Sequence, residues 1–263
     1  MSPSNSPKNG FTLVELSLVI VIIGLLVSAV FAGRSLMEQA KLRKVLSDIE
    51  SIRLLTNTFK LEYDELPGDL SNATSYWGNP GSGGANNGNG NRRIDNRESP
   101  VSNLDPVKIE NYAAWRHLQL AKLYPNLFTG TGSHNPSLLW PNDTNPRLGV
   151  KLPEAALSGR WYNFWHHSGA NDIYGKSGNA INLNGGSSLW WNSAVSVKEA
   201  ASLDTKADDG AADTGIISSA KGADFSGQND RCTLGTNNHT ASSATYNPAD
   251  TGITCRMIFW LDK

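Results

Sequence analysis

Apolar residues run without a charge from Leu16 to Gly33, and beyond that point they thin into a single periodic stripe. An uncharged run of about 18 residues is long enough to cross a bilayer as a helix. Leu42, Val45, Ile49, Ile52, Thr56, Phe59 and Tyr63 then recur at alternating steps of three and four. That period places them on one side of an amphipathic helix, with Lys41, Lys44, Asp48, Glu50, Arg53 and Lys60 on a solvated face. Pro67-Gly68 stops the pattern. The prediction is one helix from about Thr12 to Tyr63, roughly 75 Å long at 1.5 Å per residue. Its first half is apolar all round, and its second half carries a stripe that needs a partner surface. An anchor followed by an independent linker helix would leave that stripe bare.

From Gly78 to Arg93 eleven of sixteen residues are Gly or Asn, which reads as a surface loop with too little apolar area to pack by itself. Asp105-Pro106 suits an N-cap and first helical position, so a second helix is expected over about 106–123. Short β-type runs follow at Ser137–Trp140, Leu148–Leu152, Gly159–His166, Ala180–Leu183, Ser187–Trp191, Gly215–Ser219 and Thr254–Leu261. Gly, Asn, Pro and Ser clusters separate them, as in antiparallel sheets. Ser196-Val197-Lys198-Glu199 matches a capping box and starts a third helix to about Leu203. In the last run Cys255, Met257, Phe259 and Leu261 alternate with Arg256, Ile258 and Trp260, so one face can seal against the helix stripe. The fold class is α+β: a long amino-terminal helix packed on an antiparallel sheet.

Composition narrows the setting. The chain has 263 residues, with 23 Lys and Arg against 24 Asp and Glu, which gives no electrostatic ground for nucleic-acid binding. Charged residues make up only 18% while Gly, Asn, Ser and Thr abound, as in a loop-rich extracytoplasmic β structure. The two cysteines, Cys232 and Cys255, both lie near the carboxyl end. An even pair beside a membrane-insertion signal reads as one disulfide formed in an oxidising compartment; a pair of free thiols is the alternative.

Glu15 stands at the mouth of the apolar run, where a carboxylate is costly unless a cation meets it. The order Gly10, then Phe11-Thr12-Leu13-Val14-Glu15, then an apolar helix resembles the signal of bacterial type IV pilins and type II secretion pseudopilins. The resemblance covers residues 8 to about 62. It implies that a prepilin peptidase cuts between Gly10 and Phe11 and methylates Phe11, so that the apolar core stays in the mature protein. It implies four segments: a cleaved leader 1–10, a transmembrane helix 11–33, an amphipathic continuation 34–66, and a periplasmic α+β head 67–263. Loss of the leader removes Lys8 and leaves 22 basic against 24 acidic residues, a net of −2.

The resemblance also implies a role for Glu15: pairing with the new Phe11 amine of a neighbouring subunit during assembly. The expected partners are prepilin peptidase, other pilin or pseudopilin subunits and an inner-membrane assembly platform. Nucleic acid enters only in a DNA-uptake system. The expected location is the bacterial inner membrane, single-pass, with the head in the periplasm or in a surface filament. Flanking charge alone argues the other way, since only Lys8 precedes the span while Arg34, Lys41, Arg43 and Lys44 follow it. The cysteines and the resemblance place the body outside. Many family members carry a proline where this chain has Ala32, a departure that favours a minor subunit. The stretch from Tyr63 to Asp69, with Tyr76-Trp77-Gly78 and the Asn/Gly loop, is similar to one found in larger pilin-like proteins and implies no activity.

The remaining candidates are weaker. Asp204, Asp208, Asp209 and Asp213 cluster around Gly210, and Asn87, Asn89, Asn91 and Asp95 surround the glycine loop. Either set offers oxygens that suit calcium, but solvated turns use the same residues, and no cofactor is expected. His166 and His167 are adjacent on a strand and point to opposite faces, which disfavours a shared metal. Trp161, Tyr162, Phe164 and Trp165 read as core or sheet-face packing, whereas Trp190-Trp191 could form a stacking platform. Gly24 either admits close helix approach or fills space. No hydrolase, zinc-protease or phosphate-loop motif appears, so an enzyme is not expected. The alternative to a filament subunit is a membrane-tethered domain that recognises glycan or nucleic acid through exposed aromatics.

Overall fold

The computed structural model describes residues 12–79, 85–95, 110–130, 152–168, 175–185, 192–222, 231–234 and 244–261. The chain divides into two units, Met1–Lys41 and Leu42–Lys263. Helix α1 is Leu13–Tyr63, in agreement with the apolar and striped patterns together. In the first unit its side chains are exposed all round, Leu18, Ile22, Leu25 and Phe31 among them. Such a surface is stable only in lipid or against other apolar helices. A Cβ added at Gly24 would meet nothing, so nothing within the chain requires glycine there.

In the second unit the stripe is buried as expected: Leu42, Val45, Ile49, Ile52, Thr56 and Phe59. Two residues assigned to the solvated face prove half-buried because they reach across to the sheet. Arg53 donates to the carbonyl of Trp260 at 3.0 Å, and Asp48 accepts from the Tyr162 hydroxyl at 3.2 Å. The helix ends at Asp64, whose φ of 60° lets its N–H bond the Lys60 carbonyl at 2.9 Å. A short helix α2, Ala73–Trp77, follows. It has too few residues to show a period. Helix α3 is Glu110–Leu120, inside the expected second helix, and it stops three residues early where Lys122 turns at φ 61°. The expected start at Asp105-Pro106 lies outside the described residues.

The strands are β1 Arg160–Ser168, β2 Ser177–Gly185, β3 Val195–Ser196, β4 Ile217–Lys221, β5 Thr233–Leu234, β6 Thr245–Tyr246 and β7 Ile253–Trp260; helix α4, Val197–Ala207, lies between β3 and β4. The main sheet is antiparallel, ordered β1-β2-β7-β3, with β4 also on β7; β5 pairs with β6 separately. Three of the expected runs fit these strands closely: β1, β2 and β7. The expected start of β4 at Gly215 moves to Ile217, because Gly215 turns at φ 57° directly under the Asp208 carboxylate. The expected strands Ser137–Trp140 and Ser187–Trp191 lie outside the described residues, as does Leu148–Leu152 apart from Leu152, a core residue. Helix α4 opens with the expected capping box: Ser196 N–H to Glu199 at 2.8 Å, and Glu199 N–H to the Ser196 hydroxyl at 3.3 Å.

β7 holds the head together. Cys255, Met257 and Phe259 join the core with Ile49, Ile52 and Phe59 of α1, Tyr162 and Phe164 of β1, and Ile181 and Leu183 of β2. Its other face is buried too, since Ile258 and Trp260 pack with Ala180 and Ala220. A central strand with both faces covered loses the clean alternation of polar and apolar exposure.

Candidate functional site

The first turn of α1 is closed by its own residues. Thr12 N–H and the Thr12 hydroxyl both donate to Glu15 Oε2, at 2.8 and 2.9 Å, and Glu15 N–H returns a bond to the hydroxyl at 3.2 Å. This is a capping box of the kind read at Ser196–Glu199, and the same four-residue spacing signals it in the sequence. Two otherwise orphaned helix donors are thereby satisfied, and the carboxylate sits at the positive end of the helix dipole. Glu15 is therefore fixed in direction in the first turn of α1, immediately before the apolar run, with its side chain exposed. Gly10 and Phe11 lie outside the described residues.

Residues 5–31 match the family model for the prokaryotic N-terminal methylation motif. This is the type IV pilin and pseudopilin signature. Neither a curated protein nor a solved structure matches the chain. The pilin-type signature spans Gly10, Phe11, Thr12 and Glu15 together, and it points to a structural precursor. With it goes one helix long and apolar enough to cross a membrane, Leu13–Tyr63, consistent with inner-membrane anchoring. Behind the pilin-type end, Cys232 and Cys255 form the expected disulfide, with Cα atoms 5.0 Å apart. It ties the β5 region to the central strand.

Asp204, Asp208 and Asp209 do converge, with carboxylate oxygens within 4.8 Å of one another. Asp213 does not join them; it accepts from Ala244 N–H at 3.1 Å. The three are already engaged. Asp204 accepts from Tyr246 OH at 2.7 Å and Gly210 N–H at 3.2 Å, Asp208 from Ile217 N–H at 2.7 Å, and Asp209 from Ala211 N–H at 2.9 Å and the Thr214 hydroxyl. Burial pushes Asp204 up to about 6, while the Thr214 hydroxyl holds Asp209 below the usual carboxylate range. The cluster fastens the end of α4 to β4 and β6.

The Asn/Gly loop is more firmly held than its composition suggests. Asn87 accepts from Thr74 N–H at 2.8 Å, Asn89 from Asn91 N–H at 3.0 Å, Asn91 from Arg93 N–H at 2.8 Å, and Asp95 from the Asn91 amide at 3.0 Å. The stronger pins come from outside the loop and were not singled out from the sequence. Asp69 accepts from Asn91 N–H at 3.0 Å and Arg92 N–H at 2.6 Å, and Glu110 from Asn89 N–H at 3.0 Å and Asp95 N–H at 2.8 Å. Burial raises Asp69 to about 6 and Glu110 to about 8. His117, whose pKa burial lowers to about 4, is neutral at pH 7. Its Nδ1 accepts from Gly68 N–H at 2.9 Å, so Nε2 carries the proton toward the Asn86 carbonyl at 2.8 Å. Gly68, at φ 90°, is required there, because a Cβ would stand 2.3 Å from the Glu110 carbonyl oxygen.

His166 and His167 diverge as expected. His166 meets Asn179, while His167 meets Asn182, each at 3.3 Å. Trp161, Tyr162, Phe164 and Trp165 are all buried, in keeping with packing. Trp190 and Trp191 lie outside the described residues.

Proposed function

We propose that the chain is the precursor of a structural subunit of a pilus-like filament, either a type II secretion pseudopilus or a type IV pilus. A prepilin peptidase cuts between Gly10 and Phe11 and methylates the Phe11 amine. The head stands in the periplasm or on a surface filament, where the Cys232–Cys255 disulfide is favoured. An inner-membrane platform and sibling subunits complete the assembly.

The observation that carries this reading is the methylation motif over residues 5–31, with Glu15 fixed at the head of an apolar helix. Cleavage creates a cationic amine, and methylation keeps its charge. The amine of one subunit and the carboxylate of the next are each costly near lipid, so their pairing favours transfer into a helical bundle. Apolar packing of the helices supplies the remaining contact.

Glu15→Val tests the reading. The variant should insert in the membrane normally and lose cross-linking to neighbouring subunits. Cross-linking at the wild-type level removes the assembly role of the carboxylate and favours a tethered binding domain.

A further inference from the structure

In the head unit α1 has a second side, opposite its buried stripe, and that side carries exposed apolar residues. Leu54 is 66% exposed and Leu61 89%, and the two stand seven positions apart along one side of the helix. Two hydroxyls on the same side turn inward to the backbone. Ser51 donates to the Ser47 carbonyl at 2.8 Å, and Thr58 to the Leu54 carbonyl at 2.9 Å. The surface offered between Ser47 and Leu61 is therefore largely carbon.

Charge changes sign along this side. Arg43 and Lys44 begin it, Glu62 and Asp64 end it, and all four are exposed. Lys44 is paired with Asp48, and Glu50, midway, is bonded to Arg53 at 2.7 Å. Arg43, Glu62 and Asp64 enter no ion pair among the described residues. Lys60 projects from a different side of the helix. The basic start and the acidic end lie about 20 residues apart, roughly 30 Å at 1.5 Å per residue. One exposed leucine is ordinary on a protein surface. Two on one helix side, bracketed by opposite charges, make a surface complementary to itself.

We propose that this side of α1 docks on the same side of α1 in a second copy of the chain, parallel to it and displaced along the axis by about 20 residues. Glu62 and Asp64 of one copy then meet Arg43 and Lys44 of the next, and Leu61 packs near the exposed Ala40. At zero displacement like charges would face each other at both ends, so charge selects the displaced pair over the level one. Antiparallel helices would match the charges too, but a shared membrane anchor holds all copies in one direction. The contact rests on the filament reading, which makes the copies parallel, and adds a fixed register to it.

Cys232 and Cys255 are bonded to each other, so introduced thiols have no native competitor. Full-length chains carrying Leu61→Cys and Ala40→Cys, each with its own tag, are co-expressed in cells that assemble filaments and are oxidised mildly. A mixed bridge between positions 61 and 40 should form in preference to a 61–61 bridge. Glu62→Lys in the first chain should cut its yield roughly threefold, and Arg43→Glu in the second should restore it. Both side chains are exposed, so neither substitution disturbs the core. Filaments that sediment normally without the mixed bridge, or with a bridge indifferent to both charge reversals, overturn this contact and leave the filament reading standing. Absence of filaments and bridge together overturns both.

Discussion

Thr12 and Glu15 cap each other: the threonine backbone and hydroxyl both donate to one carboxylate oxygen, at 2.8 and 2.9 Å. The residue proposed to meet a neighbour's amine is thus oriented before any neighbour arrives. Thr12→Ala removes the hydroxyl that orients it, at a cost of about 1 kcal/mol typical of a lost cap. Amide hydrogen exchange at Glu15, whose N–H loses its acceptor, should then speed up roughly fivefold. Thr12→Ser should restore wild-type protection.

The stripe on α1 makes a sharp contrast within one helix. Phe59 is 0% exposed and Leu61 is 89% exposed, only two positions apart. Phe59→Ala should destabilise the head by about 3–5 kcal/mol, and Leu61→Ala by less than about 0.5 kcal/mol. Chemical denaturation read by tryptophan fluorescence measures both.

That stripe was legible in the sequence because its period repeats over more than twenty residues and needs only one partner surface. The disulfide was legible because only two cysteines exist. The Thr12–Glu15 box has the same spacing as Ser196–Glu199, but it lies beside the stronger signal of the apolar run. Asp69, Glu110 and His117 were not legible. Each pins backbone brought from a distant segment, and no local pattern marks a carboxylate that folding will bury. The two-residue strands β5 and β6 are too short to show alternation.

The Cys232–Cys255 bridge closes a loop with a sequence separation of 23, so its loss should lower stability by about 3–4 kcal/mol. Cys232→Ser with Cys255→Ser should match the effect of reductant on the wild type. Comparison of their denaturation midpoints checks this.

Glu110 sets an expected pH dependence. Burial raises its pKa from 4.5 to about 8, so the folded head binds a proton that the unfolded chain releases. The stability this confers is fully present below about 4.5 and is lost as pH rises through 8. Over the upper part of that window His117 adds no opposing change, because its lowered pKa makes its contribution complete above 6.5. The melting temperature should fall between about pH 6.5 and 8.5, and Glu110→Gln should flatten that fall.

The mass of the amino-terminal peptide decides whether Glu15 has an amine to meet. Protein isolated from cells with an active prepilin peptidase should begin at Phe11 and carry one added methyl group on its amine. A peptide that still starts at Met1, or one that starts beyond Ala32, would mean that no such amine faces Glu15 and would contradict the filament account.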